Sequence, residues 1–383
     1  MAATHLLTFL FWQTTIPLTP LLEPGAEAIC WPFLPACHAW RVLSAGQWEV
    51  VLWAYLALGV ASVALFARAK LASWAWWVLL ALNVVKLLIV LQDFQLRQNQ
   101  HYMAGLASAV FLFVPGKRLL LRVLVASFYA WAGLLKLNAE WLSGAALPEP
   151  VWLFEGRWLA VACSYVVALE VLLIWGMFSR RGWVFWSTAL QLAAFHVFSW
   201  PIVGFFYPTL MFLLLAIFVL DRRWPATAAP RLGRAGMAVL LLFSAAQVKS
   251  HVVPGDSALT GEGRLFAVHM FDALVQCEAT ALVKTVDGRA KRVNLFRPLP
   301  ARIRCDPLIY WNRANQLCRQ LKASGVGGDL DLTLRSRRSS DPEMTPVLDV
   351  RRYCALAPAY SIWFHNPWIL SESGRSDFGV PKK

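Results

Sequence analysis

The sequence predicts an α-helical polytopic membrane protein of about nine spans with a small C-terminal α+β exoplasmic domain. Three observations predict it. Of 383 residues, 58% are hydrophobic and 15% charged, against about 25% charged in an ordinary soluble domain. The apolar residues gather in runs comparable to the roughly 20 residues that a helix needs to cross a bilayer. The basic residues sit at the ends of those runs, where topology-setting charges belong, so the formal charge of +14 implies a lipid bilayer and no nucleic acid as partner. The 20 Trp and 23 Phe suit interfacial belts as well as buried contacts.

The runs cover 5–22, 49–67, 71–92, 101–115, 119–137, 158–178, 183–200, 202–220 and 235–249. The first contains Pro17 and Pro20, and the fourth and ninth are short. Arg68 and Lys70 follow the second run. Lys117, Arg118 and Arg122 follow the fourth, Arg180 and Arg181 the sixth, and Arg222, Arg223, Arg231 and Arg234 the eighth. Nine crossings bring all four clusters to one side, which the positive-inside rule assigns to the cytoplasm. The opposite short loops hold Arg41, Arg97 and Arg157. The N-terminus is then cytoplasmic and the chain beyond about residue 250 exoplasmic. No Lys or Arg precedes Arg41, so the basic stretch of a cleavable signal peptide is missing and the first run is expected to stay in the membrane.

Cysteine usage agrees. Cys163 lies within the sixth run, whereas Cys30, Cys37, Cys277, Cys305, Cys318 and Cys354 all fall in segments placed outside. Six thiols confined to the exported side suit disulfides in an oxidising compartment, with the pairing open. None has C-x-x-C or zinc-finger spacing, so no metal is expected.

Two domains follow, 1–250 in the membrane and 251–383 outside, the second turning polar. Ala281–Val286, Asp287-Gly288 and Arg289–Leu295 read as a hairpin with a tight turn. Leu308–Lys322 has helical spacing, Leu330–Leu334 alternates as a half-buried strand, and Gly255–Gly263 reads as the linker.

Ionisable groups inside spans are costly and normally face a cavity or a partner. They are Lys86, Lys136, Glu170 and His196, with His101 at the start of the fourth run. Lys136, near the outer end of the fifth, reads either as a snorkelling lysine or as an amine in an apolar pocket that takes a proton from an acidic hydroxyl. His101 reads as a hydrogen-bonded interfacial residue or a functional one. His196 and Glu170 read as interhelical partners or as functional groups. Lys86 has Asp93 seven positions on, and a bridged ion pair is expected there.

The stretch Ala132-Gly133-Leu134-Leu135-Lys136-Leu137-Asn138-Ala139-Glu140-Trp141-Leu142-Ser143-Gly144 resembles the signature A-G-x-x-K-L-[DN]-x-[DE]-W-x-x-G of vitamin K-dependent gamma-glutamyl carboxylase and its bacterial relatives, the horizontally transferred transmembrane (HTTM) family. Asn99-Gln100-His101-Tyr102 is similar to the family's active-site histidine segment, and Phe195-His196-Val197-Phe198 through Phe205 to its later Phe-His segment. Gly263–Asn294 and Asn312–Leu334 look faintly like the carboxylase lumenal domain.

The resemblance implies Lys136 as the catalytic base toward reduced vitamin K or menaquinol, assisted by His101. Asn99, Gln100, Tyr102, Asn138, Glu140, Trp141 and His196 would then contribute to binding the hydroquinone or the substrate. It further implies a disulfide between Cys30 and Cys318, O₂ and CO₂ as co-substrates, and an exported glutamyl peptide or protein as substrate, in a bacterial plasma membrane. The implied reaction couples hydroquinone epoxidation to glutamate carboxylation, because a carbon acid so weak needs a base generated where water is excluded. Gln100 departs from the family's Asn, the link from His101 to Lys136 is shorter than in animal carboxylases, and their later propeptide-recognition regions are missing or replaced. Two alternatives stand beside this reading: a non-carboxylating HTTM factor for maturation or export of a secreted peptide, and a quinol-linked oxidoreductase acting on exported thiols, which the missing C-x-x-C disfavours.

Overall fold

In a computed structural model of the chain, residues 1–147, 153–224, 231–286, 288–296, 299–325 and 328–371 are described. The element order is α1 (Ala2–Thr14), α2 (Leu18–Leu22), α3 (Ala45–Phe66), α4 (Ala72–Val90), α5 (Asn99–Phe113), α6 (Lys117–Leu135), α7 (Ala139–Ser143), α8 (Gly156–Val171), α9 (Gly182–Val203), α10 (Phe206–Arg223), α11 (Arg234–Val252), α12 (Ser257–Thr260), β1 (Val275–Lys284), β2 (Ala290–Asn294), α13 (Ala301–Arg304), α14 (Pro307–Ala323), β3 (Asp329–Arg338), β4 (Thr345–Val350) and α15 (Tyr353–Leu356). Most residues of each apolar run are helical. Five helical segments among the described residues are long and apolar enough to cross a membrane: Ala45–Phe66, Ala69–Val90, Lys117–Leu135, Gly156–Phe178 and Arg234–Val252. The first run breaks ahead of Pro17, leaving α1 and α2 as separate pieces.

Contacts divide the chain into two compact units, Met1–Leu137 with Val161–Ser244, and Asn138–Ala160 with Ala245–Lys383. The second junction lies at Ser244/Ala245, near residue 250, and Asn138–Ala160 group with the C-terminal part. In the first unit α1 packs on α3 and α10, α3 on α4, α5 on α6, and α9 on α10. Its helices have an apolar interior and also expose large apolar side chains. Trp74, Trp77, Leu190 and Leu242 are exposed, whereas Lys86, His101, Lys136, Glu170 and His196 are buried, the distribution that an apolar solvent selects.

The second unit holds a four-stranded antiparallel sheet of order β2-β1-β3-β4. Ala279 and Ala281 of β1 and Leu330, Leu332 and Leu334 of β3 are buried, an alternation that gives the sheet one apolar face. The α14 helix, capped by Asp306 on Leu308 N, packs against β3. The expected hairpin is β1–β2. Thr285 N bonds Arg289 O and Gly288 takes the positive φ of its turn, while Asp287 lies outside the described residues. β4 adds a strand that the sequence pattern did not indicate. The expected linker is ordered: Asp256 caps α12, and buried Glu262 accepts from Asn366 N and Nδ2, each at 2.7 Å.

The disulfide pattern corrects the pairing of Cys30 with Cys318. The bonds are Cys30–Cys37, Cys277–Cys305 and Cys318–Cys354, each within one unit, and Cys163 is buried and takes part in none of the three. Cys30 and Cys37 close a short loop in the first unit. Cys318 on α14 reaches Cys354 on α15, and both helices pack on β3.

Candidate functional site

Lys136 is the residue that ends α6, and its ammonium enters the first unit rather than snorkelling out. Its Nζ donates to both carboxylate oxygens of Glu170 on α8, at 2.8 and 2.6 Å, with side-chain exposures of 3% and 0%. Gly133 makes this approach possible. A Cβ there would stand 2.7 Å from Val171 Cγ2 and 2.9 Å from Glu170 Cβ, so the glycine of the A-G-x-x-K motif is a close-packing position between α6 and α8. The helix end also suits the cation, because the unpaired carbonyls there carry partial negative charge.

A second pair lies beside the first. The Tyr129 hydroxyl and His196 Nε2 are 2.5 Å apart and both side chains are buried. Tyr129 precedes Lys136 by seven positions, two helical turns, which places both on one face of α6. Lys136 lies in electrostatic range of His196, and its Nζ is 5.9 Å from the Phe195 ring centroid. Glu170 acts in turn on Tyr129 and Tyr207. His196 Nδ1 has no hydrogen-bond partner, and the ring centroids of Phe195, Tyr207 and Phe212 lie 5.0, 5.5 and 5.8 Å from that of the imidazole. Glu170 and His196, read from the sequence as interhelical partners or as functional groups, take Lys136 and Tyr129 respectively.

His101 occupies different surroundings. Neither of its ring nitrogens has a hydrogen-bond partner, so it makes no hydrogen bond to Lys136. Phe11, Trp12 and Phe206 pack around it, and Lys86 and His5 lie in electrostatic range of it. The expected Lys86–Asp93 pair is absent. Seven helical residues separate their backbones by about 10 Å, and α4 ends at Val90, so Asp93 turns into the following loop. There it pairs with buried Arg41 and accepts from Ile29 N and Gln95 N. Lys86 bonds Thr8 Oγ1 at 3.2 Å.

Of the flanking residues, Asn99 is buried in the first turn of α5, and Gln100 carries an unpartnered Oε1. Tyr102 stacks on Phe243, with ring centroids 6.4 Å apart. Asn138 caps α7 through Oδ1 on Trp141 N at 2.9 Å, and Trp141 is buried. Glu140 is buried in the second unit, where Ser340 donates to its carboxylate. Burial pushes its pKa up, against the opposing pull of Ser340 and Arg338. The motif's second half thus builds the second unit, with Asn138 as a helix cap, while its first half supplies the buried amine. Tyr129, Tyr207, His5 and Thr8 escaped the sequence reading. The heptad spacing of Tyr129 to Lys136 is the signal that was present for the first of them; the others lack one.

Comparison with protein-family models, curated proteins and solved structures gives no match to the chain.

Proposed function

We propose that the chain is a membrane-integral enzyme of the vitamin K-dependent gamma-glutamyl carboxylase type, coupling hydroquinone oxygenation to carboxylation of glutamate in an exported peptide or protein. The observation that carries this reading is the dry Lys136–Glu170 couple set against the Tyr129–His196 pair. What supports a flat phenolic ligand is a buried nitrogen without a hydrogen-bond partner, His196 Nδ1, on a ring with aromatic neighbours.

A bound hydroquinone supplies, on oxygenation by O₂, the basicity needed to remove a proton from the γ-carbon of glutamate before CO₂ adds. The chain's own part is proton handling and positioning. The Lys136–Glu170 couple accepts the hydroxyl proton as one unit, and the lysine cation remains beside the negative charge left on oxygen. With Tyr129 donating to Nε2, His196 carries its proton on Nδ1 and holds the ligand oxygen through it. Apolar packing around the couple excludes water, which strengthens both interactions.

The nine-span topology belongs to the same reading, with the N-terminus cytoplasmic and the sheet domain outside in a bacterial plasma membrane. The three disulfides support it, since such bonds persist in an oxidising compartment.

The test is to reconstitute purified protein with reduced vitamin K or menaquinol, labelled CO₂ and a glutamyl peptide. Epoxide together with labelled peptide supports the proposal. Epoxide without label keeps the quinol half and removes the carboxylase half. Absence of quinol oxidation overturns it.

A further inference from the structure

Four buried nitrogens without partners gather at a second place among the helices of the first unit: His5 Nε2, Trp12 Nε1, and Nδ1 and Nε2 of His101. On α1, His5, Thr8 and Trp12 are spaced by three and four residues and so share one helical face. Opposite them, Lys86 of α4 is 5% exposed. Its single hydrogen bond is to Thr8 Oγ1, and no carboxylate pairs with it among the described residues. Tyr55 of α3 shares a 2.6 Å hydrogen bond with His5 Nδ1. The Trp12 ring stands 5.5 Å from both Tyr55 and His101, and Lys86 lies in electrostatic range of His5 and of His101. Gly59 lets α1 come this close, since a Cβ there would meet Leu6 Cδ2 at 2.9 Å.

Donors predominate among these groups. Ammonium and indole N–H only donate. Where the Tyr55 hydroxyl donates to Nδ1, His5 carries its proton on Nε2, and His101 has one N–H and one acceptor nitrogen in either tautomer. Several donors and a lysine converge with no anion among them, although a buried charge is normally paired. The missing component is an acceptor bearing negative charge and more than one oxygen. The aromatic walls at His101, with Phe11, Trp12 and Phe206 at 5.6, 5.5 and 5.1 Å, favour a flat one.

We propose that Lys86, His5, Trp12 and His101 form a binding site for a small planar carboxylate-type anion of the size of formate, acetate or bicarbonate. The site stands apart from Lys136 and Glu170, and its test reads binding rather than quinol oxidation, so it fails or survives independently of the function proposed above.

The experiment follows thermal unfolding of the full chain in nanodiscs while formate, acetate, bicarbonate or chloride is added at constant ionic strength. A saturable rise in Tm of about 2–4 °C at roughly ten times Kd is expected for at least one planar anion. Bicarbonate as the strongest identifies a carbonate source, and formate or acetate an organic one. Lys86→Met abolishes the rise while unfolding, without anion, at or above the wild-type temperature. Trp12→Phe keeps a ring but removes the N–H and weakens binding by about threefold or more; this variant decides the matter where Lys86→Met does not fold. No saturable response, an unchanged response in these variants, or chloride acting as strongly as the planar anions overturns the proposal.

Discussion

Lys136 Nζ contacts both oxygens of Glu170, at 2.8 and 2.6 Å, across 34 residues of sequence and between two helices that also bury the pair. Removing one partner strands the other charge. Glu170→Leu is expected to cost about 3–5 kcal/mol of stability, and Lys136→Met with Glu170→Leu to regain most of it, because an apolar replacement of a whole buried pair is close to neutral. Thermal unfolding of the two singles and the double measures this. If the proposed function holds, the double variant is stable yet inactive in quinol oxidation.

Gly133→Val is expected to push α8 away and move Glu170. The added side chain starts 2.7 Å from Val171 Cγ2, and overpacking of this kind costs about 1–3 kcal/mol. The same assay should show a lowered Tm and, under the proposed function, loss of quinol oxidation. Wild-type behaviour in both would contradict the packing described.

Peptide mapping of unreduced, alkylated protein should recover Cys30 with Cys37, Cys277 with Cys305, and Cys318 with Cys354. Cys318→Ser should free Cys354, leave Cys30 bonded, and destabilise the second unit by about 2–4 kcal/mol. A Cys30–Cys318 peptide would refute the local pattern.

His269 gives the second unit a pH dependence. Burial pushes its pKa down to about 4, with Asp272 opposing and Arg264 adding to the shift. Burial also works against the charge of Asp272, but Arg264 at 2.7 Å and His269 at 2.9 Å outweigh it and hold that carboxyl below the usual range. The unfolded imidazole takes its proton near pH 6.5, before the folded one does. The contribution is therefore complete above about pH 6.5 and lost as pH falls through about 4. Denaturation curves between pH 7 and 4 should show this loss, and His269→Phe should flatten it.

The helices were legible because lipid-facing residues impose long apolar runs, and the ends of those runs carry the basic clusters. Strand β3 was legible from the alternation of Leu330, Leu332 and Leu334. β4 was not, since Pro346 interrupts it and a bulge at Leu334/Arg335 shifts its register. The buried amine stood out as a charge in an apolar run, but its partner did not. Nothing local links Lys136 to Glu170, and proximity along α4 suggested Asp93 for Lys86 when tertiary packing had given Asp93 to Arg41. Polar and glycine-rich composition made 255–263 read as a linker, because composition does not reveal that Glu262 is enclosed by His365 and Asn366.

Phe206 and Tyr207 are consecutive on α10, and the first packs on His101 while the second packs on His196. Adjacent residues of a helix point about 100° apart, so neither ring can be reseated by rotating the rod without swinging the other. A rotation of α10 would therefore change the packing of both imidazoles together.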